Sequence, residues 1–211
     1  MVAPPSSLRE RILDAAQRLV LERGFTATTV DAVLETAGAS KGAFFHHFPT
    51  KASLGRALVE RYAAGDAEVL ETLMQKAEAD SDDPAEQVIG FVRAFEGTAE
   101  ELALSQPGCL FVSFIYEHMP SSQDVNDIIV GSIRLWRERI LEKLRQAAQA
   151  HPPAVHVDLP SLADQVSTIF EGAFILARAT EDPGYLRTQL SHLRHYLELL
   201  FEADAPHARH R

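Results

Sequence analysis

Residues 28–51 read TTVDAVLETAGASKGAFFHHFPTK. Thr28-Thr29-Val30-Asp31 has the form of a helix start, with hydroxyls ready to accept the amide hydrogens that a first turn leaves without partners. That helix is short and ends near Ala37-Gly38. Ser40 is placed to cap another short helix beyond a tight turn through Gly38. Pro49 follows it, and Thr50 can cap a long helix that runs to about residue 79. Two short helices around a glycine turn form a helix-turn-helix, in which the second enters the major groove of DNA and the first braces it. Ser40, Lys41, Gly42 and Ala43 keep the start of the second helix small and polar, so its backbone can come close to base edges. Phe44 and Phe48 suit anchoring of its other side to a core, while His46, His47 and Lys51 suit phosphate contacts.

Outward from this stretch the chain is punctuated as helices throughout. Ser7-Leu8-Arg9-Glu10 has the form of a capping box, with the serine hydroxyl on an orphan amide and Glu10 reaching back. Leu8, Ile12, Ala15, Ala16 and Leu19 follow at helical spacing until Gly24. Asp83-Pro84, Ser121-Ser122-Gln123-Asp124, Ser161-Leu162-Ala163-Asp164 and Asp182-Pro183 repeat the start signals. Between them lie apolar runs at about 84–105, 108–118, 122–150, 160–180 and 183–202. The β-prone residues from Cys109 to Tyr116 have helices on both sides and read as one more, buried helix. The expected fold is therefore all-α with about nine helices. An N-terminal three-helix DNA-binding domain spans 1–51, and a helical effector-binding and dimerisation domain spans 52–203. Residues 52–79 form the connecting helix, and 204–211 form a flexible tail.

The net charge of −10 looks wrong for a nucleic-acid protein until it is divided. Residues 1–58 carry seven basic and five acidic side chains, a balance of +2, which leaves −12 for the remainder. Local positive charge is what phosphate contacts need, and an acidic remainder keeps the rest of the molecule off DNA. The single cysteine, Cys109, cannot form an intrachain disulfide, which points to a reducing cytoplasm. No run is apolar enough for a membrane span, and no secretory leader is expected at the start. There is no nucleophile elbow, phosphate-binding glycine loop or metal-spaced ligand set, so no catalytic residue, cofactor or metal is expected.

The segment resembles the tetracycline-repressor (TetR) family of bacterial regulators. That family's pattern runs T-T-V-x-x-[IV]-x-x-x-A-G-[VA]-S-K-G-x-[LF]-[YF]-x-H-F-x-[SNT]-K. Thr28, Thr29, Val30, Val33, Ala37, Gly38, Ser40, Lys41, Gly42, Phe44, His47, Phe48 and Lys51 match it. The preceding Glu22-Arg23-Gly24-Phe25 is also similar, and the likeness covers about residues 8–60. The resemblance implies that Thr29 and Lys51 clamp phosphates, and that Lys41, Gly42 and Ala43 face the bases. Phe45, His46 and His47 would lie at the groove edge; Thr28 and Ser40, read from their spacing as helix caps, are expected DNA-binding residues as well. Phe45 stands where the family often has Tyr, and the missing hydroxyl removes a hydrogen bond worth about 1 kcal/mol.

The rest of the chain reads as sensor and dimer interface. Leu186, Leu190, Leu193, Leu197 and Leu200 form one stripe, and Leu162, Val166, Ile169 and Ala173 form another. In the family the last two helices of each subunit build a four-helix bundle across a homodimer. These stripes are the expected interface, with internal packing as the alternative. Phe95, Phe114, Trp136, Phe170 and Phe174, with Glu117 as a polar contact, are candidates to line an effector cavity, or to be core. Gly108-Cys109-Leu110 resembles a helix start at which some family members sense electrophiles. A helix N-terminus favours the reactive thiolate, although a small buried hydrophobe is the commoner fate of a free cysteine. The implied protein is a ligand- or thiol-responsive repressor bound as a dimer to a palindromic double-stranded operator. Its effector would be a small molecule or electrophile. An activator of the same family, or a helical protein-interaction module, is the alternative.

Overall fold

The structure is a computed structural model that describes residues 7–105, 108–117 and 123–201. Among these residues there are nine helices and no strand. They are α1 (Leu8–Arg23), α2 (Val30–Ala37), α3 (Lys41–His47), α4 (Lys51–Asp80) and α5 (Pro84–Ser105), then α6 (Leu110–Tyr116), α7 (Gln123–Ala150), α8 (Leu159–Thr180) and α9 (Gly184–Phe201). The expected start signal at Ser121-Ser122 and the tail at 204–211 lie outside the described residues. No helix among those described is long and apolar enough to cross a membrane.

Local hydrogen bonds account for most of the boundaries. Ser7 accepts the amide of Glu10 at 3.2 Å. Glu10 does not complete the box; its carboxylate pairs instead with Arg9 and Arg61. Thr50 and Ser53 supply the reciprocal arrangement at α4, each hydroxyl accepting the other's amide at 3.0–3.1 Å. Asp83 accepts the amide of Ala85 at the head of α5. At α8 the cap is Asp158 rather than Ser161, so the helix opens at Leu159 and carries Pro160 in its first turn. Gly38 ends α2 in the left-handed region, φ 60°, where a Cβ is penalised.

The chain divides into two compact units. The first contains α1–α3, α4 as far as Gly65, α6, and α7 as far as Gly131. It is larger than the expected 1–51 domain because α6 and the ends of two long helices pack into it. Its core takes Ile12, Leu13, Ala16 and Leu19 from α1, Val33 from α2, Phe44 from α3 and Phe48 at that helix's end. Leu54 and Leu58 come from α4, and Leu110, Phe111 and Phe114 from α6. Each fully buried side chain of this size contributes roughly 1.5–3 kcal/mol of transfer free energy. The β-prone run from Leu110 to Tyr116 is a buried helix, as its flanks implied.

The second unit holds α4 from Asp66, α5, α7 from Ser132, α8 and α9. Its core joins Leu70 and Met74 of α4 with Val88, Ile89, Phe91, Val92 and Phe95 of α5. Ile140 and Leu144 come from α7. Both stripes assigned to the dimer face go into this same core. Leu186, Leu190, Leu193, Leu197 and Leu200 are 0–2% exposed; Leu162, Val166 and Ala173 are buried and Ile169 half-buried beside them. Within a single chain α9 thus turns its leucines toward α5 and α8, the internal packing that was the alternative. Heptad-like spacing says that residues share a face, and the face here is inward.

Candidate nucleic-acid interface and effector region

The caps that shape the helix-turn-helix also arm it. Thr29 accepts the amide of Ala32 and Ser40 that of Ala43, both at 3.2 Å. Each hydroxyl has used an acceptor position and keeps its own hydrogen for an outside partner. Thr29, Ser40, Lys41, Gly42, Phe45 and His46 are exposed, while Ala43 and His47 are half-buried. Phe44 and Phe48 fill the core beneath them. Gly42 is informative because nothing inside the protein asks for it. A Cβ built there meets no atom within 4 Å, yet glycine is a poorer helix former than alanine. Thr28 is not part of this surface. It is buried, and its hydroxyl donates to the Gly24 carbonyl at 2.7 Å, locking the turn that precedes α2.

Lys51 is half-buried rather than free at the surface. Its ammonium donates to the Thr26 carbonyl at 3.0 Å and lies 4.8 Å above the Phe25 ring. Burial lowers its pKa from the usual lysine range, and the nearby charge of Glu117 opposes that shift.

The expected effector residues separate into two sets. Cys109, Phe114 and Glu117 belong to the first unit. Cys109 is half-buried at the head of α6, whose first turn its side chain does not cap. Phe114 is core, packed on Phe25 with centroids 4.8 Å apart and the rings tilted by 37°. Glu117 accepts the amide of Thr26 at 2.5 Å, a contact within the first unit. His118 and Met119, which follow, lie outside the described residues.

Phe95, Trp136, Phe170 and Phe174 do come together, in the second unit. Phe95, Trp136 and Phe170 have centroids 4.9–6.2 Å apart, and Phe174 adjoins Phe170 at 6.5 Å. Asp66 sits at this cluster, accepting the indole N–H of Trp136 at 2.7 Å and the hydroxyl of Ser132 at 2.8 Å. Desolvation pushes its carboxyl above the usual aspartate range, against the pull of those two donors. Phe95 also lines a groove of about 480 Å³ on α4 and α5, with Val69, Leu73 and Leu102 as apolar walls and Glu68 and Glu101 as acids.

The model of bacterial regulatory proteins of the tetR family matches residues 12–58, and that of the tetracyclin repressor-like C-terminal domain matches residues 84–193. The chain belongs to the TetR family. Among its relatives, the transcriptional regulator AcuR of Cereibacter sphaeroides is 26% identical over 190 residues, covering 88% of this chain and 84% of AcuR. The HTH-type transcriptional repressor NemR of Escherichia coli K12 is 24% identical, covering 90% and 93%. The crystal structure of a regulatory protein TetR from Rhodobacter sphaeroides has the same fold. It superposes with a TM-score of 0.77 at 24% identity, over 90% of this chain and 99% of that one.

One surface of this TetR-family chain lies outside the two stripes. With the leucine stripe turned inward, α8 and α9 leave other faces uncovered. On α8 these are Thr168, Gly172, Ile175 (54% exposed) and Leu176 (44%); on α9 they are His192, His195, Tyr196 and Leu199 (75%). The signal that could have found them is the set of large apolar residues lying off the main stripe.

Proposed function

We propose that this TetR-family protein is a dimeric repressor that holds a palindromic operator through α3 of each subunit and releases it when an effector binds the second unit. The observation that carries the reading is Gly42. A flexible residue stands exposed at the head of α3, flanked by Lys41 and Ala43, and its missing Cβ serves no internal contact. A base edge approaching the backbone would supply the reason. Seven residues of helix read few bases, so two copies are needed, and half-sites about 34–36 Å apart fit a two-fold dimer.

The second copy is expected on the uncovered faces of α8 and α9. Ile175, Leu176 and Leu199 gain by burial there, and Gly172, like Gly42, has no atom of its own chain where a Cβ would stand. The effector is read as a small molecule taken up beside Phe95, where groove and aromatic cluster meet. It would act by favouring a conformer whose two copies of α3 no longer match the half-sites, and its effect is bounded by its differential affinity for the two conformers.

The test is a gel shift of the purified protein on the DNA upstream of its own gene, followed by selection from random DNA. A selected palindrome bound by a dimer is expected. Failure to select any sequence would reject the reading.

A further inference from the structure

The turn before α2 is held from two sides by opposite charges, and neither the caps nor the core explains why. Glu117, at the end of α6, accepts the Thr26 amide at 2.5 Å across 91 positions of sequence. Lys51, at the head of α4, donates to the carbonyl of that same residue at 3.0 Å. An acid and a base thus grip the two polar ends of Thr26.

The surrounding geometry makes the grip specific. A Cβ on Gly24 would collide with the Glu117 carboxylate, and one on Gly55 would lie 2.7 Å from the Phe25 ring and 3.3 Å from Phe114. Phe25, packed on Phe114 at 4.8 Å, also offers its face to the Lys51 ammonium. Two glycines and two packed rings therefore bring α6 onto this turn without intervening side chains.

The charge is the unexplained part. A neutral acceptor would satisfy the Thr26 amide, yet the residue is a carboxylate whose charge is felt at Lys51. Lys51 is also the lysine read above as a phosphate clamp. A carboxylate beside a phosphate-binding ammonium opposes the phosphate, since both anions draw on the same positive charge.

We propose that Glu117 is a positioning residue for DNA binding: its carboxylate, carried on α6, anchors the Gly24–Thr26 turn and competes with a DNA phosphate for Lys51. Operator affinity is thereby tied to the place of α6, because any shift of α6 moves the competing charge. The inference rests on the reading of Lys51 as a phosphate contact.

Glu117→Gln separates charge from anchorage, because the amide oxygen still accepts from Thr26. Operator affinity of the full-length protein is measured by fluorescence anisotropy across a salt series for the wild type, E117Q, K51A and the double variant. The expected result is roughly three- to tenfold tighter binding by E117Q at low salt. Its log K against log salt should be steeper by up to about 0.9 per subunit, the slope of one further phosphate neutralised. The K51A background should erase both gains, an interaction between neighbours that a purely structural role would not produce. Binding by E117Q equal to or weaker than wild type, or a gain that persists without Lys51, overturns the proposal. If K51A weakens binding while E117Q leaves it unchanged, the DNA-binding reading stands and only the role of Glu117 falls. If K51A has no effect on operator affinity, the phosphate reading of Lys51 falls, and this proposal with it. E117A, which removes the acceptor as well, should keep the steeper slope and lose part of the affinity gain; a wild-type slope for E117A counts against the proposal.

Discussion

Helix α3 and helix α9 make opposite uses of their sequences. The seven residues of α3 keep one anchor, Phe44, in the core and leave their small, polar first turn exposed. The eighteen residues of α9 put an unbroken leucine stripe inward and leave Tyr196 and Leu199 outside. In α3 a residue with no internal justification, Gly42, points to a partner. In α9 the most regular pattern in the chain points into the protein's own core, and the exposed Tyr196 and Leu199 fall off that pattern. Regularity reports the protein's own core, and unexplained exceptions report what lies beyond it.

Breaking the α9 side of the comparison should have the largest effect. Leu197 is 1% exposed and Leu199 is 75% exposed, two residues apart. Leu197→Ala should cost about 3 kcal/mol of folding stability from lost burial and the cavity left behind, read as a lowered denaturation midpoint. Leu199→Glu should leave the midpoint of the monomer nearly unchanged and shift sedimentation from dimer to monomer, with operator binding lost alongside. If Leu197→Ala dissociates the protein without destabilising it, the inward assignment of the stripe is wrong.

Gly42 gives the next largest effect, on the α3 side. Gly42→Leu adds a side chain where the protein has open space, so folding stability should hold or rise by a few tenths of a kcal/mol. Operator affinity should fall more than tenfold, about 1.4 kcal/mol or more, because the side chain stands between backbone and base edge. Unchanged operator affinity in a gel shift would remove the central support for the DNA reading. Lys41→Ala belongs beside it with a smaller, salt-dependent loss. Lys41 is 4.0 Å from Asp31 and both are highly exposed, so that pair adds little to stability.

The same contrasts separate what is legible in the sequence from what is not. Caps were legible because their hydrogen bonds close within three residues: Ser7, Ser40, Thr50 and Asp83 all perform as their spacing implied. The choice between adjacent threonines was not legible, since Thr28 turns back to the Gly24 carbonyl and Thr29 takes the cap. The helical period identified which leucines share a face, but the covering partner depends on α5 and α8, far away in sequence. Glu117 was placed near the aromatics it follows, whereas its partner Thr26 lies 91 residues back. Local chemistry is written locally, and the grip of α6 on Thr26 exists only after long-range packing.

The smallest effect, and the one that probes the interior of the second unit, concerns Asp66. Its carboxylate accepts from Ser132 and Trp136 and has no cationic partner among the described residues. Desolvation, the largest influence, raises its pKa above the unfolded value, so the folded state holds a proton that the unfolded state has already released. Stability from this group is therefore present at low pH and declines as pH rises from the unfolded pKa through the folded one. Asp66→Asn keeps an acceptor oxygen for the indole and removes the titration. The difference in unfolding free energy between the wild type and the variant should accordingly move against the wild type as pH rises through the acid range. Trp136 is the chain's one tryptophan, so its fluorescence reports the same step directly. A wild-type emission titration with its midpoint above the ordinary aspartate range, missing in Asp66→Asn, is the expected result. A midpoint at or below that range would mean that the two hydrogen bonds outweigh burial. The aromatic cluster around Asp66 would then be wetter than its packing implies.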